Sequence, residues 1–259
     1  MTSLERLPLT TAWLGRRHLH LATCASTNDR AAAEGRAGAA EGLLVTTDAQ
    51  TAGRGRLGRT WHAPAGENLA FSLLLRPARP PVEIPPLTLM AGAAVAGALR
   101  ELGFDARVKW PNDVLLGGQK VCGILVERVH VRAHGSEKPL AVVGIGLNVD
   151  QTGEELPVPT ATSLALAGDP RDRTRLLGEV LTRLAEAIDV AARSPAAFVD
   201  IFRPLCDTLG RIVRVDLPGG AELTGLAVEI DDHGRLVVED DDGRTPVAAG
   251  DVVHVRAAG

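Results

Sequence analysis

Two kinds of apolar run interleave irregularly through the first four-fifths of the chain, and their order limits the folds open to it. GLLVTT from Gly42, NLAFSLLL from Asn68, ARVKW from Ala106, GILVERVHV from Gly123 and LAVVGIGLNV from Leu140 have the length and composition of strands. Three stretches read as helices. Residues 28–40 are Ala-rich and follow Ser26 at the N-cap position. Residues 87–102 are rich in Ala and Leu, follow Pro85-Pro86 and end at Gly103. Residues 173–192 place Leu176, Leu177, Val180, Leu181, Leu184 and Ile188 at amphipathic helical spacing. No regular βαβ repeat emerges, so the expected class is α/β in the α+β sense, a mixed β-sheet packed with helices.

The last fifty residues differ in charge and in period. Residues 1–209 carry a formal charge of +1, and residues 210–259 carry −5. RIVRVDL, AELTGLAVEI, RLVVED and DVVHVRA are short β-type runs separated by Pro218-Gly219-Gly220, Asp231-Asp232-His233-Gly234 and Asp241-Asp242-Gly243. They predict a small barrel, too small to host complex chemistry alone. No apolar run nears the roughly 20 residues of a membrane-spanning helix, and MTSLERLPLT lacks the pattern of a signal peptide. Cys24, Cys122 and Cys206 are an odd number without a CxxC, which suggests neither a disulfide framework nor a cysteine-rich zinc site. A cytoplasmic protein without membrane attachment is expected. Net acidity argues against a generic nucleic-acid binder. Only three of 28 basic residues are lysines, Lys109, Lys120 and Lys138, which singles those positions out.

Three segments carry chemistry. DAQTAGRGRLGRTW, residues 48–61, contains Gly53-x-Gly55-x-x-Gly58, but a strand rather than a helix follows, so the dinucleotide reading fails. Its closely spaced glycines give a mobile backbone, and Arg54, Arg56 and Arg59 offer guanidinium forks for an anion with several oxygens. A solvated basic loop is the alternative. VKWPNDVLLGGQKVCGILVE, residues 108–127, turns at Asn112-Asp113 and again at Gly117-Gly118 before Lys120. There Lys120 could snorkel, pair with Asp113, or hold a reacting carboxylate or phosphate. In VVGIGLNV, Gly144 and Gly146 suggest close approach of a ligand or of another backbone. Asn148 could read a nucleobase edge or simply begin a turn.

In this order the segments resemble the biotin protein ligase family, that is, biotin–[acetyl-CoA-carboxylase] ligases. The resemblance rests on Ser26-Thr27-Asn28, the run from Gln50 to Trp61, Lys109-Trp110-Pro111-Asn112-Asp113, Lys120-x-x-Gly123-Ile124-Leu125 and Gly144-Ile145-Gly146-Leu147-Asn148. It is strong over residues 22–150 and implies a catalytic biotin- and ATP-binding domain at 1–209, followed by an SH3-like barrel at 210–259. The implied reaction joins biotin and ATP, with Mg²⁺, into biotinyl-5′-AMP, which then acylates a lysine of a biotin carboxyl carrier protein.

By the same resemblance Ser26, Thr27, Asn28 and Gln50 hydrogen-bond the biotin head, and Arg54-Gly55-Arg56 folds over biotin and adenylate. Gly123 adjoins the biotin site. Lys120 stands at the junction of carboxylate and phosphate, and with Arg54 and Arg56 offsets the repulsion between two anions. Arg59 belongs to the adenylate side. Trp61 stacks on or walls the adenosine, Asn148 meets the adenine, and Asp113 orients or helps deprotonate the incoming lysine. No metal ligand is assigned. About 25 residues precede Ser26, too few for the helix-turn-helix domain of repressor members, so DNA binding is not expected. A homodimer remains open. The competing readings are a lipoate or octanoyl ligase or transferase of the same fold, and a non-catalytic biotin-binding regulator.

Three features are set aside. His130 and His134 have a metal-like spacing but follow a strand. Asp240-Asp241-Asp242 reads as a solvated turn. Cys24 and Cys122 lie near the expected site but read as small hydrophobes.

Overall fold

The computed structural model describes residues 4, 11–62, 64–76, 84–133, 136–168 and 172–255. Most of the stretch read for a leader, and His134, fall outside these residues. The chain runs through β1 (Arg17–Cys24), α1 (Thr27–Arg36), β2 (Leu43–Gln50), β3 (Asn68–Leu75) and α2 (Ile84–Glu101). Then come β4 (Ala106–Lys109), β5 (Asp113–Leu116), β6 (Gln119–Ala133) and β7 (Ser136–Asn148). Two helices follow, α3 (Arg173–Arg193) and α4 (Pro195–Phe202). The chain closes with β8 (Ile212–Asp216), β9 (Glu222–Ile230), β10 (Leu236–Asp240), β11 (Gly243–Val247) and β12 (Asp251–His254).

The first seven strands form one sheet in the order β1-β2-β3-β7-β6-β5-β4. Only β1 and β2 pair in parallel; every other neighbouring pair is antiparallel. This is the mixed sheet that the irregular order of runs requires. Strand alternation assigns each face. On β3, Leu69, Phe71, Leu73 and Leu75 join the large core under α2 and α3, while Leu74 joins a smaller core under α1. Burial on both faces explains why NLAFSLLL is apolar at nearly every position.

Helix α1 stops at Arg36, four residues short of the sequence expectation. Gly38 adopts φ +94°, its N–H returns to the Gly35 carbonyl, and the Ala39 N–H reaches the Glu34 carbonyl. This closure satisfies the last carbonyls and turns the chain, and glycine suits the left-handed position it needs. Ser26 holds the extended conformation of an N-cap, but its side chain makes no cap bond. Helix α3 is capped by Asp172, which accepts from the Thr174 and Arg175 N–H groups. Strands β1 and β11 and helix α4 were not anticipated. Lys138 lies on β7 opposite Val131, in the hairpin that β6 and β7 form.

The C-terminal unit is a five-stranded antiparallel sheet, β11-β10-β9-β8-β12. No pairing joins β11 to β12 among the described residues, so an open sheet stands where a closed barrel was expected. It packs on the larger sheet through one continuous apolar core that includes Trp110, Phe202, Val213 and Val252. The Trp110 indole Nε1 donates to the Gly234 carbonyl at 3.1 Å, and its backbone N–H donates to the Thr208 hydroxyl at 2.9 Å. Among the described residues no helix is long and apolar enough to cross a membrane.

His254 sits in this seam, 3.1 Å from the Thr208 hydroxyl. Burial, reinforced by the charge of Lys109, pushes its imidazole from 6.5 down to about 4, against the opposing pull of Asp207. Between about pH 6.5 and 4 the unfolded chain therefore binds a proton that the folded chain refuses. Stability falls as pH drops through that window. Urea titrations across it should show a shallower pH slope for His254→Gln than for the wild type. An unchanged slope would remove His254 as the cause.

Candidate active site

One face of β7 organises the site. Its odd-numbered residues Ala141, Val143, Ile145 and Leu147, with Val149 just past its end, are buried in the large core. The alternate residues face the other way: Leu140 and Val142 pack under α1, and Gly144, Gly146 and Asn148 continue that face. Gly146 pairs with Gly123 on β6, so two adjacent strands lack side chains at one spot. A Cβ on Gly144 would lie 2.0 Å from Asn28 Oδ1, and one on Gly146 would lie 2.4 Å from the Trp61 ring. The glycines are thus needed for close approach by Asn28 and by the indole. Over this floor lies a cavity of about 630 Å³, a size typical of cofactor sites. All thirteen residues expected from the sequence line it.

At one end the polar residues are buried and mutually bonded. The Thr27 N–H donates to Gln50 Oε1 at 2.8 Å, and the Thr27 hydroxyl lies 3.2 Å from the same oxygen. Asn28 Nδ2 donates to Glu127 Oε2 at 2.7 Å and to the Leu125 carbonyl at 3.2 Å. The Ser72 hydroxyl donates to Asn28 Oδ1 at 2.6 Å and lies 2.7 Å from the Thr27 hydroxyl. Both N–H groups of Asn28 are therefore engaged within the protein. Ser26 and Gln50 line the cavity beside it.

The arginine loop is a closed structure rather than a free one. Trp61 N–H donates to the Gly53 carbonyl at 2.9 Å and Gly55 N–H to the Arg59 carbonyl at 2.7 Å. Leu57 stands at its tip with φ 55°, largely exposed. A Cβ on Gly53 would lie 2.4 Å from the Trp61 carbonyl, so the hairpin closes only around glycine. The three arginines diverge. Arg54 grips Glu127 through both terminal nitrogens, at 2.9 and 2.8 Å, and Asp29 at 2.7 Å. Its charge is met by carboxylates within the protein. Arg56 bonds Asn112 Oδ1 at 2.9 Å and the Gly250 carbonyl at 3.1 Å. Arg59 pairs with Asp251. Burial pushes the Asp251 carboxyl up, but the hydrogen bond from Arg59 and the charges of Arg59, Arg56 and Lys109 together outweigh it and hold the group below the usual carboxylate range.

Lys120 occupies the middle. Its Nζ lies 2.6 Å from Asp113 Oδ1 and 5.7 Å from the centre of the Trp61 ring. Trp61 lies across the paired glycines, and its Nε1 is buried with no hydrogen-bond partner among the described residues. A buried donor left unmet is costly, so it favours a ligand that accepts from it. Past Trp61, Asn148 is buried and bonds the Thr162 carbonyl and Gln151. Residues 160–165 tie the middle to this end: Lys120 N–H donates to the Thr160 carbonyl and Leu164 N–H to the Asn148 carbonyl.

Sequence reasoning missed Ser72, Glu127, Gln151 and Asp251. Ser72 had a signal, as the one hydroxyl inside the apolar run NLAFSLLL. Asp251 had none, since only the tertiary fold brings β12 to the loop. Among the described residues no cluster of His, Cys, Asp and Glu forms a metal site, His130 included. Cys122 is fully buried and its thiol is pushed up by burial, which makes it an inert core residue. Cys24 is half-buried, with its thiol also raised chiefly by burial.

Comparison with known proteins decides the family. A biotin–[acetyl-CoA-carboxylase] ligase of Mycobacterium tuberculosis is 40% identical over 245 residues, covering 91% of this chain and 88% of that protein. The chain belongs to the biotin protein ligase family. It is a ligase. Residues 22–148 match the biotin/lipoate A/B protein ligase family, and residues 208–255 match the biotin protein ligase C-terminal domain. The bifunctional ligase/repressor BirA of Bacillus subtilis is 32% identical, over 95% of this chain and 77% of its own length. Among solved structures, the biotin protein ligase of Aquifex aeolicus in complex with biotin and ATP superposes with a TM-score of 0.75. It is 28% identical and covers 93% of this chain and all of its own.

In this ligase Ser72 links Thr27 to Asn28 from beneath the site. Ser72→Ala should cost about 1–3 kcal/mol in urea unfolding, because it strands a buried acceptor. It should also weaken biotin binding measured by calorimetry. Unchanged stability and unchanged affinity would show that the network orders nothing.

Proposed function

We propose that this ligase activates biotin with ATP to biotinyl-5′-AMP and transfers the biotinyl group to a lysine of a biotin carboxyl carrier protein. The observation that carries this reading is the order of groups along one cavity. Buried polar readers stand at one end, Lys120 and Arg56 in the middle, and an amide beside an aromatic ring at the other. A ureido ring, a carboxylate meeting a phosphate, and a nucleoside fit that order.

In the first step a biotin carboxylate oxygen attacks the α-phosphorus and the bond to pyrophosphate breaks. Two anions must approach, so positive charge between them lowers the barrier. Lys120 sits at that junction. Arg56 is suited to phosphate oxygens because its present partners are an amide and a carbonyl, which a phosphate displaces without leaving a carboxylate unpaired. Arg59 joins it as triphosphate replaces Asp251. Arg54, held by Glu127 and Asp29, keeps Gly55 and the loop closed over the biotin end. Trp61 walls the nucleoside, Gly123 leaves room beneath it, and Ser26, Thr27, Asn28 and Gln50 define the head pocket. A site that hydrogen-bonds polar ligand atoms rejects analogues lacking them.

Mg²⁺ would enter with the nucleotide. Asp113 and Asp251 both line the cavity, and a hard cation that keeps waters and phosphate oxygens needs only one or two carboxylates. Bound there, it would neutralise phosphate charge. In the second step the lysine nitrogen attacks the acyl carbon, the bond to AMP breaks and the amine loses a proton. Asp113, released from Lys120 by the ligand's charge, is placed to orient that amine. We divide the chain at residues 209 and 210, with the smaller unit supplying Asp251 to the site, and place the reaction in the cytoplasm with its ATP and carrier.

Biotin-dependent exchange of pyrophosphate into ATP tests the reading. Lys120→Ala should slow it by about 10²- to 10³-fold, the usual loss on removing a charge-stabilising group, with the thermal melt retained. Exchange supported by lipoate and not biotin would overturn the substrate, and a near-normal rate in the folded variant would overturn the role of Lys120.

A further inference from the structure

Gln151 lies three residues beyond Asn148, is 1% exposed and has no place in the scheme above. Its contacts form a chain whose direction is fixed at both ends. The Val149 backbone N–H donates to Gln151 Oε1 at 3.0 Å. Gln151 Nε2 donates to Asn148 Oδ1 at 3.0 Å, and Asn148 Nδ2 donates to the Thr162 carbonyl at 2.9 Å. A backbone N–H can only donate and a carbonyl can only accept. Neither amide can therefore turn over without placing oxygen against oxygen or N–H against N–H. The Gln151 carbonyl also accepts from the Ser163 hydroxyl at 2.7 Å, which holds its backbone in place.

We propose that Gln151 is a positioning residue that fixes the polarity of the Asn148 carboxamide and thereby makes the site select adenine nucleotides. The proposal rests on the reading that Asn148 faces the nucleobase. With one N–H given to Thr162 and one lone pair given to Gln151, Asn148 retains one donor and one acceptor for the cavity it lines. Adenine presents the complement, its N6 amino donor beside a ring-nitrogen acceptor. Hypoxanthine places an oxygen where that amino group stands, against the Asn148 oxygen. Turning Asn148 over to accept it would break the bonds to both Gln151 and Thr162, so the network enforces the choice. Without Gln151 as donor, turning costs only the Thr162 bond.

The test compares ATP with ITP, which differs on this edge and carries no added group, as kcat/KM in biotin-dependent pyrophosphate exchange. Gln151→Glu keeps the acceptor for Val149 and removes the donor to Asn148; Gln151→Met removes both. Each should lower the ATP-to-ITP ratio about tenfold, through the nucleotide KM with biotin affinity retained, because a mismatched polar pair is what the wild type rejects. The added charge of the Glu variant acts on both nucleotides alike and cancels in the ratio. Asn148→Ala should collapse the ratio as well. A ratio within roughly threefold of wild type in the folded Gln151 variants, with Asn148→Ala altered, would overturn the proposal alone. A ratio unmoved by Asn148→Ala would overturn the reading of Asn148 and this proposal with it.

Discussion

Side chains on a strand alternate between faces, and β7 lies between β3 and β6 in the middle of the sheet. Its core face is committed to Val143, Ile145 and Leu147, which are all but inaccessible to solvent. That commitment pins the register, because a shift by one residue would turn these side chains into the cavity. The opposite face can then be nearly bare. Gly144 and Gly146 lend no stability of their own and weaken a strand in isolation. They are tolerated because pairing on both sides and the core beneath hold the backbone. The same alternation on β3 points Ser72 away from the core that holds Leu69, Phe71 and Leu73, and toward Asn28.

The cations of the site are largely paired within the protein. Lys120 meets Asp113, Arg59 meets Asp251, and Arg54 meets Glu127 and Asp29. Partly exposed pairs of this kind contribute little to folding. Their value lies in holding charge in position at the cavity without leaving it unpaired. Arg54 and Arg59 carry different consequences. One ties the loop to α1 and β6, and the other ties it to β12 of the smaller sheet, which makes that sheet part of the site wall.

Much of this was legible in the sequence, for identifiable reasons. NLAFSLLL matched β3 at both ends because two buried faces leave an unbroken apolar run between polar turns. Residues 173–192 fell within one residue of α3 because a one-sided apolar stripe is hard to mistake. Strand β1, RHLHLATC, escaped because an edge strand mixes polar and apolar residues, and α4 because eight residues give too little periodicity. The residues that line the cavity could be read as a group because their motifs carry glycine and arginine in fixed order. Their partners were not: Glu127, Gln151 and Asp251 are ordinary residues whose meaning comes from contacts across the fold. The sequence also could not show that Arg54 turns toward carboxylates while Arg56 turns toward neutral groups.

The central claim is that the cavity holds its ligands in one direction along β7. A crystal structure with biotin and a non-hydrolysable ATP analogue tests it directly. The account predicts the ureido ring between Ser26 and Gln50, the biotin carboxylate beside Lys120, and the adenine against Asn148. A ureido ring at Asn148, or a nucleotide bound away from Arg56 and Lys120, would contradict it.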